Sequence, residues 1–339
     1  MNLKEFSTRL NLSPTTVSRA LGGYSEVSPV TRERVVQAAR ELGYQPNQAA
    51  RQVAMGRAGA IGIVYPLGSD YLGNPAFLGM LAALSHHLQQ GGVDLLLAAA
   101  PEQDELATYE RMVRGRRVDA MVVAHTAVHD VRVDYLLRSQ MPFVAYGRTG
   151  RPEGYPWFDF DNAAGGRLAV RELVSLGHRR IAYVHSPLRL NFAHQRHHGF
   201  MDGLRRAGLA VKPQDVIPGG LELAAGYGAG RTLAARRRAE RPTAVFVDNC
   251  LGGVGVIRAL MDAGVRVGRE ISVLVYEGVP PEAALLQVGV ACIEQPTPVK
   301  TGTILGEMVL AVATGKPLAK NQMLMRPKFV AGESLGPIG

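Results

Sequence analysis

The chain opens with three short stretches whose apolar residues recur at helical spacing. In residues 3–10, Leu3, Phe6 and Leu10 share one face, and Asn11, Leu12 and Ser13 read as a turn. Ser13 followed by Pro14 combines an N-cap hydroxyl with the helical position where a missing N–H does no harm. A second helix is therefore predicted over Pro14–Leu21, with Val17, Ala20 and Leu21 facing inward. Gly22 and Gly23 stop it, because glycine readily adopts the left-handed conformation that ends helices. A third helix over 31–42 would turn Val35, Ala38, Ala39 and Leu42 inward, completing a small all-α helix-turn-helix unit. The second helix is left with an outer face of Thr15, Thr16, Ser18 and Arg19. Short hydroxyls and one bidentate donor can read base edges in a major groove, where an Arg–guanine pair discriminates by about 1–3 kcal/mol. On an isolated helix pair the same residues are better read as a solvated surface.

From Gly59 onward the period changes. The runs GAIGIVYP, VDLLLAAA, VDAMVVAH and PFVAYG alternate with helix-length segments, as buried parallel strands joined by crossover helices do. A Gly- and Pro-rich break at 148–156 interrupts the rhythm, which restarts with RIAYVHS, TAVFVDN and SVLVYEG. Two α/β lobes with parallel sheets are expected. Ligands of such sheets lie beyond the carboxyl ends of the strands, and two facing lobes enclose a cleft. The candidates are thus Tyr65 and Pro66 leading to Asn74 and Phe77, then Arg148, His185, Asp248 with Asn249, and Glu277. Polar groups between aromatic walls suit a hydroxyl-rich ligand better than a lipid.

Composition narrows the class. Of 339 residues, 47% are hydrophobic and 20% charged, the balance of a globular protein with sizeable cores. The net charge of +9 favours a polyanionic partner, and residues 1–60 hold eight Lys or Arg against four Asp or Glu. The arginine run at 236–238 reads as a solvated helix end. No apolar run is long enough to span a bilayer and the first residues lack a signal-peptide pattern, so a cytoplasmic location is expected. Cys250 and Cys292 lie in separate apolar segments and read as reduced core residues. His194 and His198 are four apart, with His185 and His197 near them, but no further ligand falls at a suitable offset, so no metal is expected. No nucleophile elbow or phosphate loop is present, and the glycines at 226–230 lie within a helix-length segment, where close helix packing explains them. Neither an enzyme nor a cofactor is expected.

The string LKEFSTRLNLSPTTVSRALGGYSEVSPVTRERVVQAARELGYQPNQAARQVAMGR resembles, without a gap, the headpiece of the LacI/GalR family of bacterial repressors. The segments WFDFDNAAGGRLAVRELVSLGHRRIAYV, QRHHGFMDGLRRAGL and CIEQPTPVKTG extend the likeness into a sensor similar to periplasmic sugar-binding proteins. This resemblance implies a repressor that binds pseudo-palindromic operator DNA as a homodimer and is controlled by a small sugar-like effector held between its lobes. It implies a helix-turn-helix domain at 1–45 and a hinge helix within 46–58. The sensor domain would be 59–339, with an N-lobe at 59–160 and 296–325 and a C-lobe at 161–295 and 326–339. The family's hinge helix would cover 47–55, with Asn47 and Arg51 touching phosphate or groove. Val53 stands where the family usually inserts a leucine between base pairs, and being shorter it should unstack that step less. Arg196 matches the family's effector-binding arginine, Asn249 the polar residue closing a C-lobe strand, and Glu277 a position usually held by Asp; Phe160 and Gln295 fall at cleft-lining positions. Cys250 replaces the usual Asp after Asn249, so a relative's hydrogen-bond pattern does not transfer. The combination IVYP, VVAHT, YGR, WFDFDN and VYEG looks most like the branch that includes the raffinose-operon repressor, which implies an α-linked oligosaccharide. The alternatives within the class are a purine, a nucleoside or a sugar phosphate; a solute receptor without a DNA role is more distant. The segment KFVAGESLGPIG carries no leucine heptads, so a coiled-coil tetramer is not expected.

Overall fold

Serine–proline pairs start two of the first three helices, α1 (Leu3–Arg9), α2 (Pro14–Leu21) and α3 (Pro29–Glu41). Ser13 Oγ accepts from the Thr16 amide at 3.0 Å, and Ser28 Oγ accepts from the Thr31 amide at 3.2 Å. The third helix begins two residues before the expected 31 because Ser28–Pro29 repeats the device of Ser13–Pro14. The computed structural model describes residues 1–44, 56–66, 74–219, 221–280 and 289–338. It divides the chain into two units, Met1–Gly59 and Ala60–Gly339. Phe6, Leu10, Val17, Ala20, Val27, Val35, Ala39 and Tyr44 form the core of the first. Leu42, expected inside, is 42% exposed. It caps α3, and after Gly43 turns the chain with φ +61° the Tyr44 ring stacks on Phe6 at 4.2 Å in its stead.

The second unit holds two six-stranded sheets. In the N-lobe sheet the order is β11-β5-β4-β3-β1-β2, made of β1 (Ala60–Pro66), β2 (Asp94–Ala100), β3 (Ala120–Ala124), β4 (Phe143–Tyr146), β5 (Trp157–Phe160) and β11 (Gln322–Met325). The C-lobe sheet runs β12-β10-β9-β8-β6-β7, made of β6 (Ile181–His185), β7 (Val216–Pro218), β8 (Ala244–Val247), β9 (Ser272–Tyr276), β10 (Ala291–Glu294) and β12 (Lys328–Val330). Every pairing is parallel except β10 with β12. The central strands β3 and β9 are buried throughout, as strands covered on both faces must be. The chain passes from one sheet to the other at 160–162, 294–298 and 325–328. The apolar runs pointed to seven of these strands; the other five, β5, β7, β10, β11 and β12, carry at most three apolar residues in a row and do not stand out.

Helices α4 (Pro75–Gln90), α5 (Glu105–Arg114) and α6 (Val131–Arg138) belong to the N-lobe, joined by α11 (Pro298–Ala313), which packs on α4. Helices α7 (Asn162–Ser175), α8 (Asn191–Arg206), α9 (Leu223–Ala234) and α10 (Cys250–Asp262) belong to the C-lobe. The α9–α10 contact is backbone on backbone. A Cβ on Gly226 would strike Gly252, and one on Gly255 would strike Leu223 and Tyr227. Close packing therefore accounts for Gly226 and Gly230, whereas a Cβ on Gly228 would meet nothing within 4 Å. Cys250 is a buried free thiol that burial pushes up to about 12, and Cys292 is a half-buried free thiol also raised by burial. No helix among the described residues is long and apolar enough to cross a membrane.

Candidate functional site

The candidate recognition surface of the first unit is the outer face of α2. Val17 and Ala20 are buried, while Thr15, Ser18 and Arg19 are exposed. Thr16 is half-buried, and its hydroxyl lies 2.8 Å from Ser13 Oγ, so it reinforces the helix start. Arg19 reaches Glu26 at 3.5 Å, yet both side chains are more than half exposed, a loose pairing that leaves the guanidinium available. Asn47, Arg51 and Val53 lie outside the described residues.

Between the lobes is a cavity of about 100 Å³ into which both sheets point their carboxyl ends. Asn74, Phe77, Phe160, Arg196, Asn249, Glu277 and Gln295 all line it. Asn74 and Phe160 also border, with Glu277 and Gln295, an adjoining compartment of about 310 Å³ that opens past Pro280, Pro296 and Pro298.

Arg196 is its organising group. Placed on α8 and nearly fully buried, it donates from Nε to Asn162 Oδ1 at 2.9 Å, from one terminal nitrogen to the Asp248 carbonyl, and from the other to Glu277 Oε1 at 2.9 Å. Its plane lies between rings, 3.6 Å from the Tyr276 centroid and 4.7 Å from that of Phe192. Burial opposes the charge, but Glu277, Tyr276 and Asp248 outweigh it and hold the guanidinium firmly protonated. With three of five N–H groups committed, two remain for a ligand.

Two asparagines show a shared design. Asn74 caps α4, its Oδ1 accepting from the amides of Ala76 at 2.9 Å and Phe77 at 3.3 Å; Asn249 caps α10, its Oδ1 accepting from Leu251 at 3.0 Å. Each cap uses the oxygen, and neither amide nitrogen bonds to another described residue, so both lobes bring a donor to the cavity.

Three candidates belong elsewhere. Arg148 does not line the cavity; its guanidinium meets Asp159 at 3.4 Å and Gln195 at 2.8 Å and lies over Trp157, so it ties the N-lobe to α8. The Asp248 carboxylate is turned into the C-lobe, accepting from Ser186 N and Oγ and from Tyr183 OH. His185 bonds Ser186 through Nδ1 and packs edge-on to His197, away from the cavity. Among the described residues no group of three or more His, Cys, Asp or Glu is placed to hold a metal.

Sequence reasoning passed over His125, Thr126, Tyr146, Asp159, Asn162 and Phe192, all of which line the cavity. Four of them stand at or just beyond the ends of β3, β4 and β5, so the rule that selected Glu277 would have found them. Backbone strain is a second signal. Arg116 and Gln140 have positive φ just past helix ends, whereas His125 at +51° and Glu277 at +69° follow strands β3 and β9 and line the cavity. Non-glycine residues held there cost about 1–3 kcal/mol each and persist where surroundings over-determine them. Around His125 that role falls to Arg132, which donates to the His125 carbonyl at 3.1 Å and to Asp130 at 2.7 Å. Burial and Arg132 bring His125 down to about 4, so it meets a ligand neutral. Asp159 is driven the other way: burial pushes it up to about 6 despite Arg148 and the amide of Phe160.

Comparison with known proteins agrees with this layout. Residues 2–47 match the family model of bacterial regulatory proteins of the lacI family, and residues 58–323 match that of periplasmic binding proteins and the sugar-binding domain of the LacI family. The chain is 37% identical over 338 residues to the HTH-type transcriptional regulator RafR of Escherichia coli, covering 99% of this chain and 98% of that one. It is 36% identical over 282 residues to the HTH-type transcriptional regulator AglR of Rhizobium meliloti, covering 83% and 79%. A solved complex of the transcriptional regulator CelR with cellobiose superposes with a TM-score of 0.73 at 26% identity, covering 98% of this chain and 99% of that one. A helix-turn-helix unit joined to a two-lobed sensor, with these relatives across its whole length, makes this chain a member of the LacI family of bacterial transcriptional regulators.

Proposed function

We propose that this regulator is a cytoplasmic repressor that binds a pseudo-palindromic operator as a homodimer and is released or retained according to a saccharide held between its lobes. The observation that carries the saccharide is the Arg196–Glu277 pair set among the faces of Phe77, Phe160 and Phe192. Sugars present hydroxyl edges to such charged donors and acceptors and C–H faces to aromatic rings, and an unmatched buried polar group costs about 1–3 kcal/mol. An inner chamber continuous with a larger outer one favours more than one ring, in keeping with the cellobiose bound by CelR. An α-linked oligosaccharide is the reading adopted here. The N-lobe (59–160, 296–325) and C-lobe (161–295, 326–339) act as the two bodies that close on it.

On the DNA side, Thr15, Ser18 and Arg19 read bases, Thr16 steadies the helix start, and Asn47, Arg51 and Val53 engage the operator from the hinge. The homodimer contact is assigned to the N-lobe, where Leu78 on α4 and Leu97 on the edge strand β2 are exposed. A single headpiece buries too little for tight specific binding.

The test couples both activities. Purified protein is titrated onto its own promoter region by fluorescence anisotropy, alone and with a panel of α- and β-linked di- and trisaccharides, nucleobases and sugar phosphates. An oligosaccharide should shift operator affinity at least fivefold, the lower end of about 1–3 kcal/mol of coupling. Arg19→Ala should weaken operator binding without changing saccharide affinity. A shift with nucleobases and none with saccharides refutes the ligand class; unchanged operator binding in Arg19→Ala refutes the readout.

A further inference from the structure

The amino-terminal ends of the C-lobe strands hold a second pocket, of about 300 Å³. Arg180, Thr243 and Ile271 line it and immediately precede β6, β8 and β9, whereas His185, Asp248 and Glu277 follow or close the same strands. From Thr243 to Asp248 is five residues of extended chain, about 16 Å at the usual rise. The two sites therefore sit at opposite ends of one sheet.

Among the described residues five arginines line this pocket, Arg180, Arg238, Arg241, Arg266 and Arg269, against a single carboxylate, Glu270. Glu270 accepts from the Arg266 amide at 3.0 Å and pairs with its Nε at 3.1 Å. Arg180 donates to the Ala239 carbonyl, and Arg241 Nε donates to the Arg236 carbonyl at 2.7 Å. The side chains of Arg238 and Arg269 make no hydrogen bond or ion pair among the described residues. The arginine run at 236–238 is thus divided: Arg236 turns away to Asp215, while Arg238 joins the pocket. The floor is rigid, because buried His178 bonds Thr243 Oγ1 at 3.1 Å through Nδ1 and Ser272 Oγ at 3.0 Å through Nε2.

Five arginines around one concavity with one carboxylate give it a positive potential that favours an anion. Guanidinium forks match the paired oxygens of a phosphoryl group and bind it bidentately. The volume is at the lower bound of small-molecule sites, roughly 300–1,000 Å³, and so admits a phosphorylated metabolite. We propose that this pocket is a second ligand site, for a small phosphoryl-bearing dianion, independent of the interlobe cleft.

Isothermal titration of the full chain at fixed ionic strength tests this, with glucose 6-phosphate, inorganic phosphate, glucose and sodium chloride as probes. One saturable site for a phosphorylated probe is expected, with no response to glucose or chloride. Arg238→Ala/Arg269→Ala, which removes two exposed and unbonded side chains, should weaken it about tenfold or more, the loss of charge-assisted bonds. Phe77→Leu in the cleft should leave it unchanged. Equal binding of inorganic phosphate and glucose 6-phosphate assigns the site to the dianion itself, and tighter glucose 6-phosphate assigns it to an organic phosphomonoester; both uphold the proposal. Binding that survives the double arginine variant, weakens in Phe77→Leu by the roughly fivefold expected of a cleft ligand, or is matched by glucose overturns it. So does a glutamate-rich peptide that binds the same arginines more tightly than either phosphate, since that would make the pocket a protein-docking surface.

Discussion

The two lobes share one topology and present different chemistry to the cavity between them. In both, the five strands nearest one edge run in the same order, 2-1-3-4-5 within each lobe, and the sixth is the returning strand β11 or β12. The N-lobe wall is mainly aromatic, with Phe77, His125, Tyr146 and Phe160; the C-lobe wall carries Arg196, Glu277, Asn162 and Asn249. The positive-φ residues that face the cavity differ in the same sense, since the one after β3 is a neutral histidine and the one after β9 is a glutamate. A fold of this kind fixes where ligand groups must stand and leaves their type free, so one lobe can offer a stacking surface and the other a hydrogen-bonding one.

The charged wall can be broken most completely at Arg196. Arg196→Ala strands Glu277 and leaves the acceptors Asn162 Oδ1 and Asp248 O unpaired in the interior. Breaking a buried pair from one side costs about 3–5 kcal/mol. The variant should lose saccharide binding in calorimetry and melt well below the parent, while retention of full affinity would remove Arg196 from the site.

Asp159 is the carboxylate on the mainly aromatic wall, and pH exposes it. Its carboxyl rises from 3.8 to about 6 because burial outweighs Arg148. The fold therefore favours the protonated form, and that contribution is complete below about pH 4 and lost as pH rises through about 6. The span corresponds to about 3 kcal/mol. Asp159→Asn should accordingly gain stability relative to the parent between pH 4 and 7, measured by urea unfolding at each pH. A pH-independent difference, or one of the opposite slope, would show that the Arg148 pairing dominates instead.

Legibility in the sequence followed the strength of local signals. The helix-turn-helix was readable because apolar spacing, Ser13–Pro14 and Gly22–Gly23 agree within twenty-odd residues. The error at its end, Leu42 for Tyr44, arose where a glycine turn carried the chain off the helical period. Strands such as β3 announced themselves as apolar runs, whereas β11, QMLM with alternating exposure, did not. Of the cleft, residues after clearly apolar strands were accessible to reasoning, and Arg196 came through resemblance alone, since nothing local marks an arginine within NFAHQRHHGF as buried. The roles of Arg148 and the Asp248 carboxylate depend on partners 47 and 62 residues away, beyond any local pattern.

The aromatic wall should yield smaller effects. Phe77 is 6% exposed and packs on Tyr65 at 5.1 Å and His125 at 5.3 Å. Phe77→Leu keeps most of the apolar volume and loses the flat face, so it should leave the melting temperature nearly unchanged and weaken saccharide binding by about 1 kcal/mol, roughly fivefold. The smallest change belongs to Arg148, whose side chain bridges the lobes without touching the cavity. Besides Gln195, its carbonyl accepts from Asn191 Nδ2 at 2.6 Å and from Thr126 Oγ1 at 2.9 Å, bonds that survive truncation of the side chain. Arg148→Ala should therefore ease lobe separation without altering ligand contacts, giving faster saccharide dissociation in stopped-flow measurements and an equilibrium loss of about 0.5–1 kcal/mol. If dissociation is unaffected while association slows, the arginine guides ligand entry and the bridge does not hold the lobes closed.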